Sequence, residues 1–480
     1  MFGSTHTDEL IEFIEENRPA PTKVLQEIYD AFDSSAMEQG VRYYKGDSSI
    51  MSKQMYRYEG DSKVVDTEAT NKKIASGFHK ILVDQKTAYL VGEPMVFGSN
   101  RDNEKQLELL KEIIGERWED TIPELIKGAS NKGLEWLHPF INEDGEFDYM
   151  IISATQFIPI YDYSKRKRLA AGIRFYSISA DMVKLELWTD TDVTYFEMTN
   201  GQLVLDVEVE VNPAPHFTDA EGANGKAWGK VPFIKFANNE EELSDLHFYK
   251  SAIDAYDELV SDAQNTLSDM QSVIMALIGY EGEDLGGFLT NLRRYKAVKL
   301  EAGEGNDVKP ITVDVPVDAY KMQSDLLKEN IIMFGQGVNP SPDIIGNAPS
   351  GVALTNLYSL LDMKASILER KFTLALREFM WFIQEYCSLA NKGEFDYRDI
   401  TFTFNKLLLT NETEIVDMAQ KSSGIISQQT ILENHPWVKD AALEVERLEE
   451  EQRKQMDMFD YYDTTFNNSQ SRRLDGEENP

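Results

Sequence analysis

The chain has one cysteine, Cys387, among its 480 residues, which excludes an internal disulfide framework and points to a reducing compartment. Set in an apolar run, Cys387 reads as a small core residue rather than a nucleophile. Histidine is nearly as scarce: His6, His79, His138, His216, His247 and His435 are scattered, and no two share the helical spacing of a metal pair. No apolar run approaches the ~20 residues that cross a bilayer. The opening MFGSTHTDELIEF lacks the basic and apolar regions of a secretory leader, so a soluble chain without membrane contact is expected. A phosphate loop is missing, because Gly225-Lys226 and Gly229-Lys230 are followed by Ala and Val rather than Ser or Thr. There is no G-x-S-x-G and no H-E-x-x-H, and acidic pairs are too numerous to single out a dyad. Composition therefore favours a structural or binding protein, without cofactor or metal, over an enzyme.

Positive charge is also in short supply. The 48 Lys and Arg against 83 Asp and Glu leave a net charge of -35, which argues against a surface that grips nucleic acid by neutralising phosphates. It leaves open a surface along which nucleic acid slides. The length exceeds what one core supports, so two to four domains are expected, and a content of 42% hydrophobic residues is that of a folded chain.

What is present is organised around residues 335–351, GQGVNPSPDIIGNAPSG, and a long helix over 352–389. Pro340, Pro342 and Pro349 remove backbone donors while Gly335, Gly337, Gly346 and Gly351 permit turns, so the first stretch is a loop. In the second, Leu354, Leu357, Leu361, Ala365, Leu368, Phe372, Ala375, Phe379, Ile383 and Tyr386 recur every three or four residues, one unbroken helical stripe. At ~1.5 Å per residue it is roughly 57 Å long, a spine for several layers.

Upstream, helices are expected over 8–17, over 22–41 and over 71–91, the last with Ile74, Phe78, Ile81 and Leu82 on one face, lysines on the others and a structural His79. Two more fall between 107 and 132. From 133 to 238 the sequence alternates, with turns at Asp144-Gly145 and Asn200-Gly201 and strands over 147–152, 172–179, 182–188, 194–198 and 203–211. Leu246, Tyr249, Ile253, Tyr256, Val260, Ala263, Leu267 and Met270 then form a heptad seam. The other faces of that helix carry Asp254, Asp257, Glu258, Asp262 and Asp269, which periodicity alone reads as a solvated face. Strands over 273–280 and 311–315 flank a glycine-broken acidic loop and the basic cluster Arg293, Arg294, Lys296 and Lys299. A helix over 316–334 leads back to the loop. After the spine come a strand over 400–404, helices over 412–420, 428–434 and 441–458, and a polar tail from about residue 464. The class is α+β, mostly helical.

Four stretches carry a likeness: NKKIASGFHKILVDQKTAYLVGEP (71–94), GLEWLHPFINEDGEFDYMIISATQFIPIYD (133–162), GKVPFIKFANN (229–239) and SGVALTNLYSLLDMKASILERKF (350–372), with a weaker fifth, SQQTILENHPWVKDAALEVERLEEE (427–451). Together and in this order, the chain resembles the portal proteins of tailed bacteriophages, specifically long-tailed phages of Gram-positive bacteria. The resemblance implies a ring, usually of twelve subunits, around a channel through which double-stranded DNA is packaged, retained and ejected. It implies a wing over 1–246, stem helices over 247–272 and 316–334, a clip over 273–315, a tunnel loop over 335–351, a long helix and strand returning to the wing over 352–405, crown helices over 406–463 and a tail over 464–480.

The tunnel loop would approach DNA through Val338, Asn339, Pro340, Ser341, Asn347 and Ser350. Asp254, Asp257, Glu258 and Asp262 would line or border the channel, repelling phosphate weakly, with Lys321 and Lys328 as softer contacts. Arg293, Arg294, Lys296 and Lys299 of the clip would meet the terminase packaging motor or the head-completion (adaptor) protein. Major capsid and scaffolding proteins are further implied partners, and the location is the portal vertex of a virion assembled in the host cytoplasm. The rival readings are an ATP-driven motor or nuclease, and a capsid-associated scaffold or adaptor enclosing no channel.

Overall fold

The computed structural model describes residues 5–16, 19–164, 167–179, 182–218, 224–270, 274–278, 307–311, 316–339, 351–406, 412–433, 435, 437–438, 441, 443–451 and 453–454. Three short helices open the chain: α1 (Thr5–Glu15), α2 (Thr22–Asp30) and α3 (Ser35–Tyr44). The expected single helix over 22–41 is two, because the Asp33 carboxylate accepts the Ser35 amide at 2.9 Å and offers the backbone an alternative to the next helical turn. A solvent-exposed hairpin, β1 (Tyr56–Glu59) with β2 (Ser62–Val65), precedes α4 (Phe78–Val91) and β3 (Val96–Ser99). The helix expected from 71 begins only at Phe78, after an extended run. Its buried face is His79, Leu82, Val83, Lys86, Tyr89 and Leu90, whereas Ile74 and Ile81 are exposed.

Helices α5 (Glu104–Ile114) and α6 (Trp118–Lys132) lead into the β-rich region. There β4 (Leu134–Ile141) pairs with β5 (Phe147–Ile152), and β6 (Phe157–Tyr161), β7 (Leu169–Ser179), β8 (Met182–Trp188), β9 (Asp192–Thr199) and β10 (Gln202–Leu205) form an antiparallel meander. β11 (Ile234–Ala237) returns to pair with the other side of β4. The turns fall as the dipeptides require: Asn200, Gly201 and Gly145 all take positive φ. The last strand stops at Leu205 rather than running to 211. Asp206, ion-paired to Lys184 at 2.7 Å, accepts the Glu208 amide, and Asn212 donates to the carbonyls of Tyr195 and Asp206, so side chains take over the pairing.

Two aliphatic and aromatic clusters fix these layers. Leu10, Ile11, Val24, Leu25 and Ile28 of α1 and α2 cover one face of the meander, against Ile158, Ile173, Leu185, Leu187 and Phe196. On the other side Trp136, Phe157, Trp188 and Phe233 pack together. After α7 (Lys250–Met270), strands β12 (Ile274–Ile278) and β13 (Asp307–Ile311) pair antiparallel. The second strand ends where the sequence suggested it would start. Pro310 is tolerated in it because each strand of a two-stranded ribbon is an edge.

Helix α8 (Val317–Phe334) precedes the 40-residue α9 (Gly351–Ala390), the expected spine. Its stripe is buried from Leu361 to Tyr386, with Phe379 stacked on Trp118 at 5.3 Å and edge-on to Tyr149. Cys387 lies in the same core and burial pushes its thiol up to about 11, the inert residue expected. β14 (Ile400–Thr403) pairs with β3. Residues 1–338 and 360–407 make one compact unit, and 339–359 with 408–480 a second, which contains α10 (Glu412–Ser422) and α11 (Gln428–Glu433). No helix among the described residues is long and apolar enough to cross a membrane, and no group of His, Cys, Asp or Glu among them is arranged to hold a metal.

Candidate channel site

Helix α7, over which the first stem helix is expected, does not present its acidic face freely. Asp257 is 0% exposed: its carboxylate accepts the Ser48 hydroxyl and, at 2.9 Å, the Ser76 amide. One turn on, Ser261 Oγ accepts the Ile74 amide at 3.0 Å, and one turn further Asn265 accepts the Lys72 amide at 2.8 Å. Positions i, i+4 and i+8 of a helix thus serve alternate amides of an extended chain, which explains why residues 71–77 are not helical: their donors are spoken for.

Asp254 accepts from Tyr43 and pairs with Lys250 at 2.6 Å. Lys53 reaches Glu258 at 2.8 Å and Asp262 at 3.2 Å. The expectation for Asp257 is therefore corrected, since a fully buried carboxylate lines no lumen. Asp254, Glu258 and Asp262 keep some exposure, but each sits beside a lysine of its own chain. The apolar seam is likewise real only at its start, with Leu246, Tyr249 and Ile253 buried and Leu267 half exposed.

Helix α8, over which the second stem helix is expected, is the more open one. Ile331 is its fully buried side chain, packed with Leu82, Tyr249 and Ile253. Lys321 is exposed, and Lys328 is partly exposed, 3.8 Å from Asp325 and over the Tyr256 ring. Apolar Met322, Leu326 and Met333 also face outward, as do Met363, Ile367 and Leu374 on α9.

The end of α8 is built with care. Gly335 caps it, and Gln336 takes φ of 52°. The Gln336 amide donates to Met333 O at 3.1 Å and the Gly337 amide to Ile332 O at 3.0 Å, a Schellman closure with glutamine at the left-handed position. Gly335 and Gly337 lie against Leu82 so closely that a Cβ on either would come within 2.5 Å and 2.2 Å of it. Val338, expected to face DNA, is buried instead: its amide donates to Gln85 Oε1 at 3.1 Å and its carbonyl accepts from Gln85 Nε2 at 2.8 Å. Asn339 is partly exposed. Pro340, Ser341, Asn347 and Ser350, and Arg293, Arg294, Lys296 and Lys299, expected in a clip, lie outside the described residues.

Beneath this closure is a buried ionic cluster not expected from the sequence. Asp245 lies 2.8 Å from both Lys86 and Lys364, and Lys86 also donates to Asn238 at 2.7 Å. Lys364 further donates to the Gly335 carbonyl at 2.9 Å. Burial raises the Asp245 carboxyl, but the two ammonium groups outweigh it and hold the group well below the usual carboxylate range. Burial lowers Lys86 to about 8. His79, against the Tyr249 hydroxyl at 2.7 Å, is lowered by burial to about 4, the structural role expected.

The sequence model described as "Phage portal protein, SPP1 Gp6-like" matches residues 29–458. The chain belongs to this family. The portal protein of Bacillus phage SPP1 is 38% identical over 469 residues, covering 95% of this chain and 92% of that one. The portal protein of Clostridium phage phiCD119 is 33% identical, covering 80% and 85%. Among solved structures, a chain from the neck of a native gene transfer agent particle aligns over 74% of this chain and 88% of that chain, at 13% identity and a TM-score of 0.40. The likeness to portal proteins of phages of Gram-positive bacteria is thus established, and with it the α+β portal fold and a place in the virion.

Proposed function

We propose that copies of this portal chain close into a ring, twelve in the virion, whose bore passes double-stranded DNA during packaging, retains it and releases it at infection. The observation that carries the reading is the exposure of apolar side chains along two helices, Met322, Leu326 and Met333 on α8 and Met363, Ile367 and Leu374 on α9, in a chain of this family. Stripes of this kind mark protein–protein contact, and an 18-residue helix with a single fully buried side chain needs neighbours to hold it.

Because Asp257, Glu258 and Asp262 of α7 are covered or paired by residues 48–76, and Asp254 by Tyr43 and Lys250, the stem wall facing DNA is assigned to α8, with Lys321 and Lys328 alternating with Asp318, Asp325 and Glu329. A mixed lining of this sort binds phosphate weakly and without sequence readout. Twelve copies at -35 each would carry about 420 formal negative charges, which disfavours DNA adhering to the ring as a whole. The clip cluster Arg293, Arg294, Lys296 and Lys299 is assigned to docking the packaging motor and then the head-completion protein, and the chain itself needs no catalytic activity. Native mass measurement with negative-stain top views tests the proposal: annular particles with a central opening are expected, and a compact monomer or dimer under assembly conditions would defeat it.

A further inference from the structure

Three residues of α4 at i, i+3 and i+4 spacing meet the exit of α8. Leu82 fills the space left by Gly335 and Gly337, Gln85 pairs with both polar groups of Val338, and Lys86 completes the cluster in which Asp245 holds Lys364 against the Gly335 carbonyl. The contacts form a closed circuit. From Val338 it runs through Gln85 to α4, from α4 through Lys86 and Asp245 to Lys364, and from Lys364 back to Gly335, three residues before Val338.

The Gln85 pairing has a consequence that a single hydrogen bond lacks. A carboxamide that donates to a carbonyl and accepts from the amide of the same residue fixes that residue's orientation as well as its position. A shift of the chain by one residue turns the peptide groups over and breaks both bonds together. The two glycines let the backbone lie flush on Leu82, so no side chain stands between the strand of peptide groups and α4.

We propose that Gln85 and Lys364 are positioning residues for the channel's constriction. They bind the root of the tunnel loop, Gly335–Val338, to the body of the wing, so that pull exerted by moving DNA beyond residue 338 passes into α4 and α9 rather than unwinding the last turn of α8. This rests on the proposed function, together with the expectation that the tunnel loop beyond Val338 faces the bore. A purely structural role for the same contacts would show as loss of stability alone.

The test uses the full-length assembled protein with Gln85→Leu, Lys364→Met and, as a control on the same helix, Lys80→Ala, whose exposed side chain pairs with Asp84 and lies over the Tyr44 ring, away from Val338. Wild-type particles are first checked for the ring; its absence overturns the proposed function and is read separately from the exchange and packaging results. In Gln85→Leu rings, hydrogen exchange at the Val338 amide should quicken by about tenfold, the factor of one net hydrogen bond, while peptides from α4 and the middle of α8 stay at the wild-type rate. Packaging into procapsids should begin but end with less DNA protected from nuclease than with wild type or Lys80→Ala. Lys364→Met should accelerate exchange at Gly335–Val338 in the same way. If it does not fold, Gln85→Leu alone decides. Unchanged exchange at Val338, or faster exchange with wild-type DNA yield, overturns the proposal.

Discussion

At the scale of single residues, the chain makes its sharpest distinctions among its own carboxylates. Asp257→Ala removes the acceptor of one hydroxyl and one amide in a site without water access, and should cost about 2–3 kcal/mol in chemical denaturation. Glu258→Gln, a few ångströms away and 59% exposed, should stay within about 1 kcal/mol. Asp245→Asn strands two buried ammonium groups and should cost about 3–5 kcal/mol, while Lys86→Met should cost clearly less because Lys364 keeps the carboxylate paired. Acid sensitivity follows from burial as well. The folded pKa of His79 is about 4 and that of His138 about 3, both below the unfolded value of 6.5. Each therefore contributes stability that is complete above about pH 6.5 and falls away as pH drops toward the folded value. At pH 5 the loss should be roughly 2 kcal/mol per histidine, and His79→Gln should remove its share from the pH dependence of the denaturation midpoint.

At the scale of elements, what could be read from the residues and what could not separate cleanly. The spine α9, the meander and the Asn-Gly and Asp-Gly turns follow from local periodicity and turn chemistry, and the stripe from Leu361 to Tyr386 is buried as its spacing demands. Residues 71–77 misled because NKKIAS has helical composition, while its amides are taken by Asp257, Ser261 and Asn265 from almost two hundred residues away. No local pattern carries such a partner. The acidic face of α7 misled for the same reason: Lys53, Ser48 and Tyr43 are invisible to a helical wheel. The Gln85 pairing and the Asp245 cluster had one faint signal, a lysine and a glutamine set within the apolar stretch of α4. The exit of α8 yields a test of this scale. Gly337→Ala places a Cβ 2.2 Å from Leu82 and should cost about 1–3 kcal/mol by forcing the loop root off α4, measurable as a lowered unfolding midpoint with the helical far-UV signal retained.

At the scale of the whole molecule, two helices of the described residues, α8 and α9, each leave a row of apolar side chains exposed. Charged substitutions there, Leu326→Glu on α8 or Leu374→Glu on α9, should leave the melting of the isolated chain within a few degrees, as surface changes do. The same substitutions should shift the native mass from ring to single chain. A loss of folding in both would show that these faces are covered from within.

The rungs that tie residues 72, 74 and 76 to α7 also set their own limit. Four residues of helix advance about 6.0 Å, whereas two of extended chain advance about 6.6 Å, so the two rulers slip by ~0.6 Å at every step, like the scales of a vernier. Three bonds span two such steps, a slip of ~1.2 Å that all three still bridge, and the polypeptide parts from α7 just beyond them, turning into α4 at Gly77.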